Sequence, residues 1–254
     1  MDLLVFKIAA AVAIFLFGLG GGLLPRRLAL GPHARSVMSL GNIFAGGVFL
    51  GAALIHVLPD AQAGFAEAYP HIDYPLFGLI CGLSVGLMLL IEKVGESLAP
   101  DGAGGEATYP ALLMVILSIH SVITGIALGI ENLHTQALVL LLAVLAHKGT
   151  AAFALGAAML GDGSRRVALV PRIVTFSLTT PLGILLGSLM AEAFAGGGEV
   201  RFEAVFDAMA AGTFLFVSIF EILYREFRVA TRLPARLAAL LLGYLLMALV
   251  AVWT

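Results

Sequence analysis

The chain alternates between long apolar runs and short polar or glycine-rich breaks. Eight apolar segments can be counted, at approximately 3–24, 39–58, 74–94, 110–131, 136–160, 168–194, 204–227 and 234–253. Each is near the ~20 residues that a helix needs to cross a hydrocarbon layer about 30 Å thick. The breaks carry Pro, Gly and charge: Pro25-Arg26-Arg27, Pro59-Asp60, residues 95–109, Gly161-Asp162-Gly163, Gly196-Gly197-Gly198 and Arg232-Leu233-Pro234. Such residues end helices and start turns. The pattern predicts an all-α integral membrane protein of eight spans, and no break is long enough for a folded domain outside the membrane. The expectation is one domain over residues 1–254, with a flexible Gly-rich, acidic loop at about 95–109.

Composition agrees with the pattern. Hydrophobic residues make up 61% of the chain and charged residues 12%, against about 25% charged in soluble domains. A net charge of −2 says nothing about nucleic acid, but no basic cluster or aromatic platform supports such a partner, so none is expected and the bilayer is left as the principal surroundings. The single cysteine, Cys81, excludes an intramolecular disulfide and a thiolate-rich metal cage. Asp2 precedes the first apolar run and Lys7 lies within it, so the run reads as a retained helix rather than a cleaved signal. With no targeting segment evident, a plasma membrane or bacterial inner membrane is expected.

The basic residues are distributed unevenly among the breaks. Arg26, Arg27 and Arg35 fall in the first, Lys93 precedes the third, Arg165 and Arg166 (with Arg172 beyond) mark the fifth, and Arg225, Arg228, Arg232 and Arg236 flank the seventh. Even-numbered loops hold only Arg201. By the positive-inside rule the odd loops are cytoplasmic and both termini face outward.

Ionisable residues inside membrane spans are costly and point to function. The most telling are His120 and His147, each about 13 residues from the polar break Asn132–Gln136. If that break is a tight turn between antiparallel helices, a rise of 1.5 Å per residue puts both imidazoles roughly 20 Å below it, near the membrane centre. Each histidine is followed by Ala-Leu-Gly at +7 to +9 (Ala127–Gly129 and Ala154–Gly156), as if the two helices were related copies. Neutral imidazole is a good ligand for Zn²⁺ and other first-row divalent ions. His120, Thr124, Ala127 and Glu131 share one helix face; His147, Ala151 and Ala154 share another. With the orientation above, His56, Asp60, Glu131 and Asp207 form an outer approach to the pair, with His134 in the turn beside Glu131. Glu221 and Glu92 lie toward the cytoplasmic ends of their spans as an exit. Lys148 is expected to point into the bundle or pair with a carboxylate, and Thr180-Pro181 to interrupt the sixth span, since proline removes an N–H and frees a carbonyl. Gly18–Gly22 and Ala210–Gly212 read as packing surfaces.

Signatures of membrane enzymes are missing. There is no H-E-x-x-H, no G-x-S-x-G, and no Walker or Rossmann glycine pattern in a usable context. The chain is therefore not expected to be an enzyme, to hold a prosthetic group or to hydrolyse ATP.

These motifs resemble a known family. H-S-V-x-x-G-x-A-x-G (His120 to Gly129) followed by H-K-G-x-x-A (His147 to Ala152) is similar to the paired fourth and fifth helices of ZIP (Zrt-, Irt-like) metal transporters. F-A-G-G-V-F-L and I-H-V-L-P-D (Phe44 to Leu50, Ile55 to Asp60) resemble the second helix, T-P-L-G (Thr180 to Gly183) the sixth, and A-A-G-T-F-L with F-E-I-L (Ala210 to Leu215, Phe220 to Leu223) the seventh. The resemblance implies eight helices with both termini outside, usually a homodimer, carrying divalent metal toward the cytoplasm. It implies ligands at His120, Ser121 and the position of Thr124, at His147, Lys148 and Ala151, and at Thr180.

Several of these positions depart from the family's two-metal pattern. Thr124 stands where many members have glutamate, Lys148 and Ala151 where some have acidic residues, and Thr180 where some have glutamate. Two dications in a low dielectric need anionic compensation, so the expectation is one metal site on His120 and His147. Ser121, Thr124 and water would complete it, with the Lys148 ammonium in place of the second ion. Zn²⁺ is favoured over Fe²⁺, Mn²⁺ or Cd²⁺. A metal-selective channel and a non-transporting regulatory or structural membrane protein with a degenerate site are the alternatives.

Overall fold

A computed structural model describes residues 2–97, 105–161, 169–191, 198–228 and 232–253. Every described regular element is helical, and eight helices are long and apolar enough to cross a membrane. They are α1 (Leu3–Leu28), α2 (Ala34–Ala68), α3 (Leu76–Ser97), α4 (Gly105–Ile130), α5 (His134–Gly161), α6 (Leu169–Met190), α7 (Gly198–Phe216, continuing to Phe227) and α8 (Leu233–Val250). Asp2 caps α1 through a hydrogen bond from the Leu4 N–H (3.4 Å), and Pro234 opens α8, where a missing N–H costs nothing. The outer faces are apolar: Leu237, Leu241, Leu245 and Leu249 of α8 are all exposed in a four-residue stripe, which suits hydrocarbon and not water.

Three local expectations are corrected. The helix α6 runs unbroken through Pro181; the proline is accommodated within the bundle, as membrane helices allow. The polar break after α4 is confined to residues 131–133, and His134 is the first residue of α5 rather than part of the turn. Of the loop expected at 95–109, residues 95–97 complete α3 and 105–109 begin α4, while 98–104 lie outside the described residues.

Two helices are interrupted differently. Residues Ala52–Val57 of α2 and Val217–Leu223 of α7 are π-helical. A π turn inserts an extra residue into the ladder, and such turns are frequent at functional sites. Here one contains His56 and the other Glu221. The hydroxyl of Ser218, within the second, donates to the Gly46 carbonyl (2.8 Å) and ties α7 to α2.

The helices sort into two groups by how they pack. α1, α4, α5 and α6 form one, through the extensive contacts α4–α6, α1–α5 and α1–α6; α2, α3, α7 and α8 form the other, through α2–α8, α3–α7 and α2–α7. Glycine makes the tightest interfaces of each group possible. A Cβ on Gly125, Gly183, Gly129 or Gly187 would strike a backbone carbonyl of the partner helix across α4–α6. The same holds for Gly21 and Gly156 across α1–α5, Gly47 and Gly243 across α2–α8, and Gly212 across α3–α7. Without a hydrophobic driving force between helices in lipid, such backbone approach supplies the van der Waals contact. Where α5 of one group meets α2 of the other, Gly41 faces the ring of Phe153, a side chain rather than backbone. The histidine-bearing helices α4 and α5 belong to the first group, and α7 of the second lies across them.

Candidate metal site

His120 on α4 and His147 on α5 face one another with ring centroids 5.7 Å apart. Both are buried, at 5% exposure. Phe214 of α7 covers them: its ring centroid lies 3.9 Å from that of His120 and 5.0 Å from that of His147. Behind it Phe214 stacks on Phe49 of α2 (5.3 Å). The histidines thus come from one helix group and their aromatic cover from the other.

The hydroxyl of Thr124, one turn after His120, donates to the His120 carbonyl (3.0 Å) and lies 3.2 Å from His120 Nε2. On the other side of the ring Thr213 Oγ1 lies 3.5 Å from His120 Nδ1 and donates to the Ala210 carbonyl (2.8 Å), so each ring nitrogen has a threonine hydroxyl beside it and the tautomer sets which of the two is free to ligate. Hydrogen bonding at one nitrogen sets which nitrogen can ligate a metal. Among the described residues, Nδ1 of His147 has no well-formed hydrogen bond.

Lys148 points into the bundle, at 2% exposure. Its ammonium donates to Ser121 Oγ (3.0 Å), Thr180 Oγ1 (3.0 Å) and the Phe176 carbonyl (3.3 Å), and lies 3.9 Å from the centroid of the Phe176 ring. All three donors of an ammonium are used, and the ring face adds cation–π attraction. Ser121, Lys148 and Thr180 are therefore brought together, one step along the helices from the histidine pair. Among the described residues no group of three or more His, Cys, Asp and Glu side chains could hold a metal, so any ion at the histidines would be held by two imidazoles, hydroxyls and water.

A cavity of about 590 Å³ opens at the end of the molecule near the 131–133 turn. Asp60, Glu131 and Asp207 line it, together with Glu67 and Glu203. His56 reaches it through Asp60, with Nδ1 and Oδ2 3.0 Å apart. The Glu131 carboxylate also anchors the start of α5: Oε1 accepts from the Leu133 N–H at 2.7 Å, and the Gln136 amide, turned to satisfy its donors, reaches both oxygens at 3.1 and 3.2 Å. Glu67 and Glu203 were missed at the sequence level, although each has a signal: Glu203 precedes Asp207 by one helical turn, and Glu67 follows Asp60 by two. Ala127 also lines the cavity, and lies two turns, about 10 Å, from His120 on the same face.

A second cavity, of about 70 Å³, lies at the other end, bounded by Asn42, Ala154, Ala158, Glu221, Ile222, Arg225 and Glu226. Glu221 is buried and meets Arg225 at 3.3 Å. Ala154 stands two turns, about 10 Å, from His147 on the face that also holds Ala151. Glu92, also buried, pairs with Lys93 (3.4 Å) and is not a wall of this cavity.

Eight apolar helices, lipid-facing leucine stripes and a polar file at the centre define a multi-pass integral membrane protein. The sequence profile described as "ZIP Zinc transporter" matches residues 4–111 and 103–251, which together span nearly the whole chain. The chain belongs to the ZIP zinc transporter family. It is similar to the mouse protein named "Zinc transporter ZIP2", 30% identical over 99% of both chains. It is equally similar to the bovine "Zinc transporter ZIP1", 30% identical over 95% of this chain and 89% of the relative, and 28% identical to human "Zinc transporter ZIP2", over 99% of both.

Proposed function

We propose that the protein carries a divalent metal, zinc foremost, across the bilayer toward the cytoplasm through one site built on His120 and His147. The observation that carries this reading is the position of the pair between two cavities. Each cavity holds carboxylates, and each lies two helical turns from a histidine along a face of small residues. Asp60, Glu131, Asp207 and His56, with Glu67 and Glu203, gather cations at the outer end; Glu221, with Glu92 nearby, receives the ion at the inner end. Two imidazole nitrogens suit zinc, iron, manganese or cadmium better than magnesium or calcium, which take oxygen ligands, and the relatives' names favour zinc. Buried imidazoles beneath Phe214 suit a carrier that opens to one side at a time better than an open channel. No step of this reading breaks a covalent bond, and none needs a prosthetic group.

Thr124, which orients His120, and Ser121, already engaged by Lys148, complete the site with water. Lys148 holds the second position as a resident cation, with Thr180 and the Phe176 carbonyl as its ligands. The whole chain acts as one eight-helix transporter domain, in a plasma or bacterial inner membrane with both termini outside. It pairs with a second copy through Gly78, Gly82 and Gly86, three glycines spaced four residues apart on α3 with no described residue within 4 Å of where a Cβ would stand. Zinc flux into proteoliposomes tests the central site: His120→Ala and His147→Ala should each reduce it at least tenfold. Flux untouched by both substitutions sinks the reading, as does a count of two tightly held metals per chain.

A further inference from the structure

Far from the histidines, at the end of the molecule where α2 and α8 begin and α7 stops, Arg35, Arg232 and Arg236 surround a cavity of about 640 Å³ with Ser36, Ser39 and Glu226. Charge there is out of balance. Among the described residues Glu226 is the one carboxylate in the wall, and both its oxygens are already occupied: Oε2 accepts from Ser39 Oγ (2.5 Å) and Oε1 from Asn42 Nδ2 (2.7 Å). The guanidinium of Arg236 donates to the backbone carbonyl of Glu226, not to its carboxylate. Arg232 donates to Ser36 Oγ (2.9 Å). Among the described residues no carboxylate lies within ion-pair distance of Arg35, Arg232 or Arg236. Yet Arg236 is only 8% exposed, and a buried charge without a counter-ion is costly.

We infer that this cavity binds a phosphoryl anion. Three guanidiniums against one carboxylate leave two positive charges, which an inorganic phosphate dianion offsets fully and a lipid phosphodiester, with one charge, offsets by half. Guanidinium forks match phosphate oxygens in geometry as well as in charge, and the Ser36 and Ser39 hydroxyls supply further polar contact. The first turns of α2 and α8 add the positive ends of two helix dipoles, and neither N-cap residue, His33 or Arg232, makes a side-chain capping hydrogen bond. The site lies at the ends of spans, where a lipid headgroup and a dissolved phosphate can both arrive. None of its residues touches the histidine pair, although Glu226 also borders the inner cavity of about 70 Å³.

The test uses the full chain in a non-ionic detergent, with two probes: inorganic phosphate, and short-chain phosphatidylglycerol against phosphatidylcholine. Binding is read by native mass spectrometry and by the thermal midpoint. Adducts with phosphatidylglycerol in excess of phosphatidylcholine identify a headgroup as the ligand; a midpoint raised by inorganic phosphate but not by an equal concentration of chloride identifies a free anion; either supports the site. Arg35 and Arg232 are exposed, so the double variant R35Q/R232Q should fold, and it should lower occupancy at least tenfold. The control R26Q/R27Q removes two exposed arginines from the end of α1 and should leave occupancy within twofold. The proposal is overturned if neither probe binds above its control, if R35Q/R232Q binds as the wild type does, or if both double variants lose binding alike.

Discussion

Lys148 is the residue at which this chain's chemistry is most its own. Its ammonium donates to two buried hydroxyls, Ser121 and Thr180, and shares the Phe176 carbonyl with the Thr179 hydroxyl, which also donates to it (2.6 Å). Lys148→Met should therefore cost about 1–3 kcal/mol, the usual penalty for orphaned buried polar groups, seen as a lowered midpoint of thermal unfolding in detergent. The double change Lys148→Asp with Thr124→Glu should do something different. It supplies two carboxylates where the cation and the hydroxyl stood, so the metal content of the purified protein by elemental analysis should rise from one ion per chain to two. A content that stays at one would show that these two positions do not decide the count. That Lys148 faces inward follows from its depth, but its partners did not: Thr180 and Phe176 come from a helix 28 to 32 residues further along the chain. Thr124 was legible as a missing carboxylate; its contact with the His120 ring nitrogen needed the 3.2 Å geometry.

At the scale of elements, the glycines divide into those that weld helices and those that face outward. A methyl at Gly125 would meet the Thr180 carbonyl, and one at Gly183 the Val122 carbonyl; neither backbone can yield without separating α4 from α6. Gly125→Ala or Gly183→Ala should abolish the folded protein or lower its midpoint steeply. Gly82→Ala meets open space and should leave the midpoint unchanged or raise it, since alanine favours the helix by about 1 kcal/mol. Gly82→Ile should leave the monomer folded and weaken the dimer in analytical ultracentrifugation. The spans themselves were legible because hydropathy over twenty residues is a strong signal. The two π turns were not, because an inserted residue changes the hydrogen-bond ladder without changing the composition around His56 or Glu221. Pro181 misled for the opposite reason: its local tendency to break a helix was overridden by packing.

For the whole molecule, orientation is the main expectation still open to direct measurement. In a Cys81→Ser background, Leu133→Cys, in the exposed turn between α4 and α5, should react with an impermeant maleimide from outside intact cells. Leu30→Cys, between α1 and α2, should react only after permeabilisation. Both sites are exposed, Leu30 at 76% and Leu133 at 57%, so the contrast reports sidedness and not burial. The opposite pattern would invert the direction of every step proposed above. The side assignment rests on the basic residues in alternate loops alone. The arginine cavity was not readable in the same way, because Arg35 and Arg232 are almost 200 residues apart and meet only when α2 and α8 start side by side, as the Arg232–Ser36 hydrogen bond across 196 residues records.

The grouping of α1 with α4, α5 and α6 also sets a schedule for biosynthesis. Lys7, buried in α1, donates to the carbonyl of Gly129, 122 residues later. At about 5–20 residues per second, the ribosome needs roughly 6–24 s after making Lys7 to deliver that acceptor. Through this interval α1 stands in the bilayer with an ammonium group and the glycine face of Gly21 and Gly22 uncovered, while α2 and α3, made next, belong to the other group. A nascent chain stopped after α3 should therefore be a substrate for membrane quality control, and one stopped after α6 should escape it. Lys7→Leu should lengthen the life of the shorter chain without stabilising the finished protein.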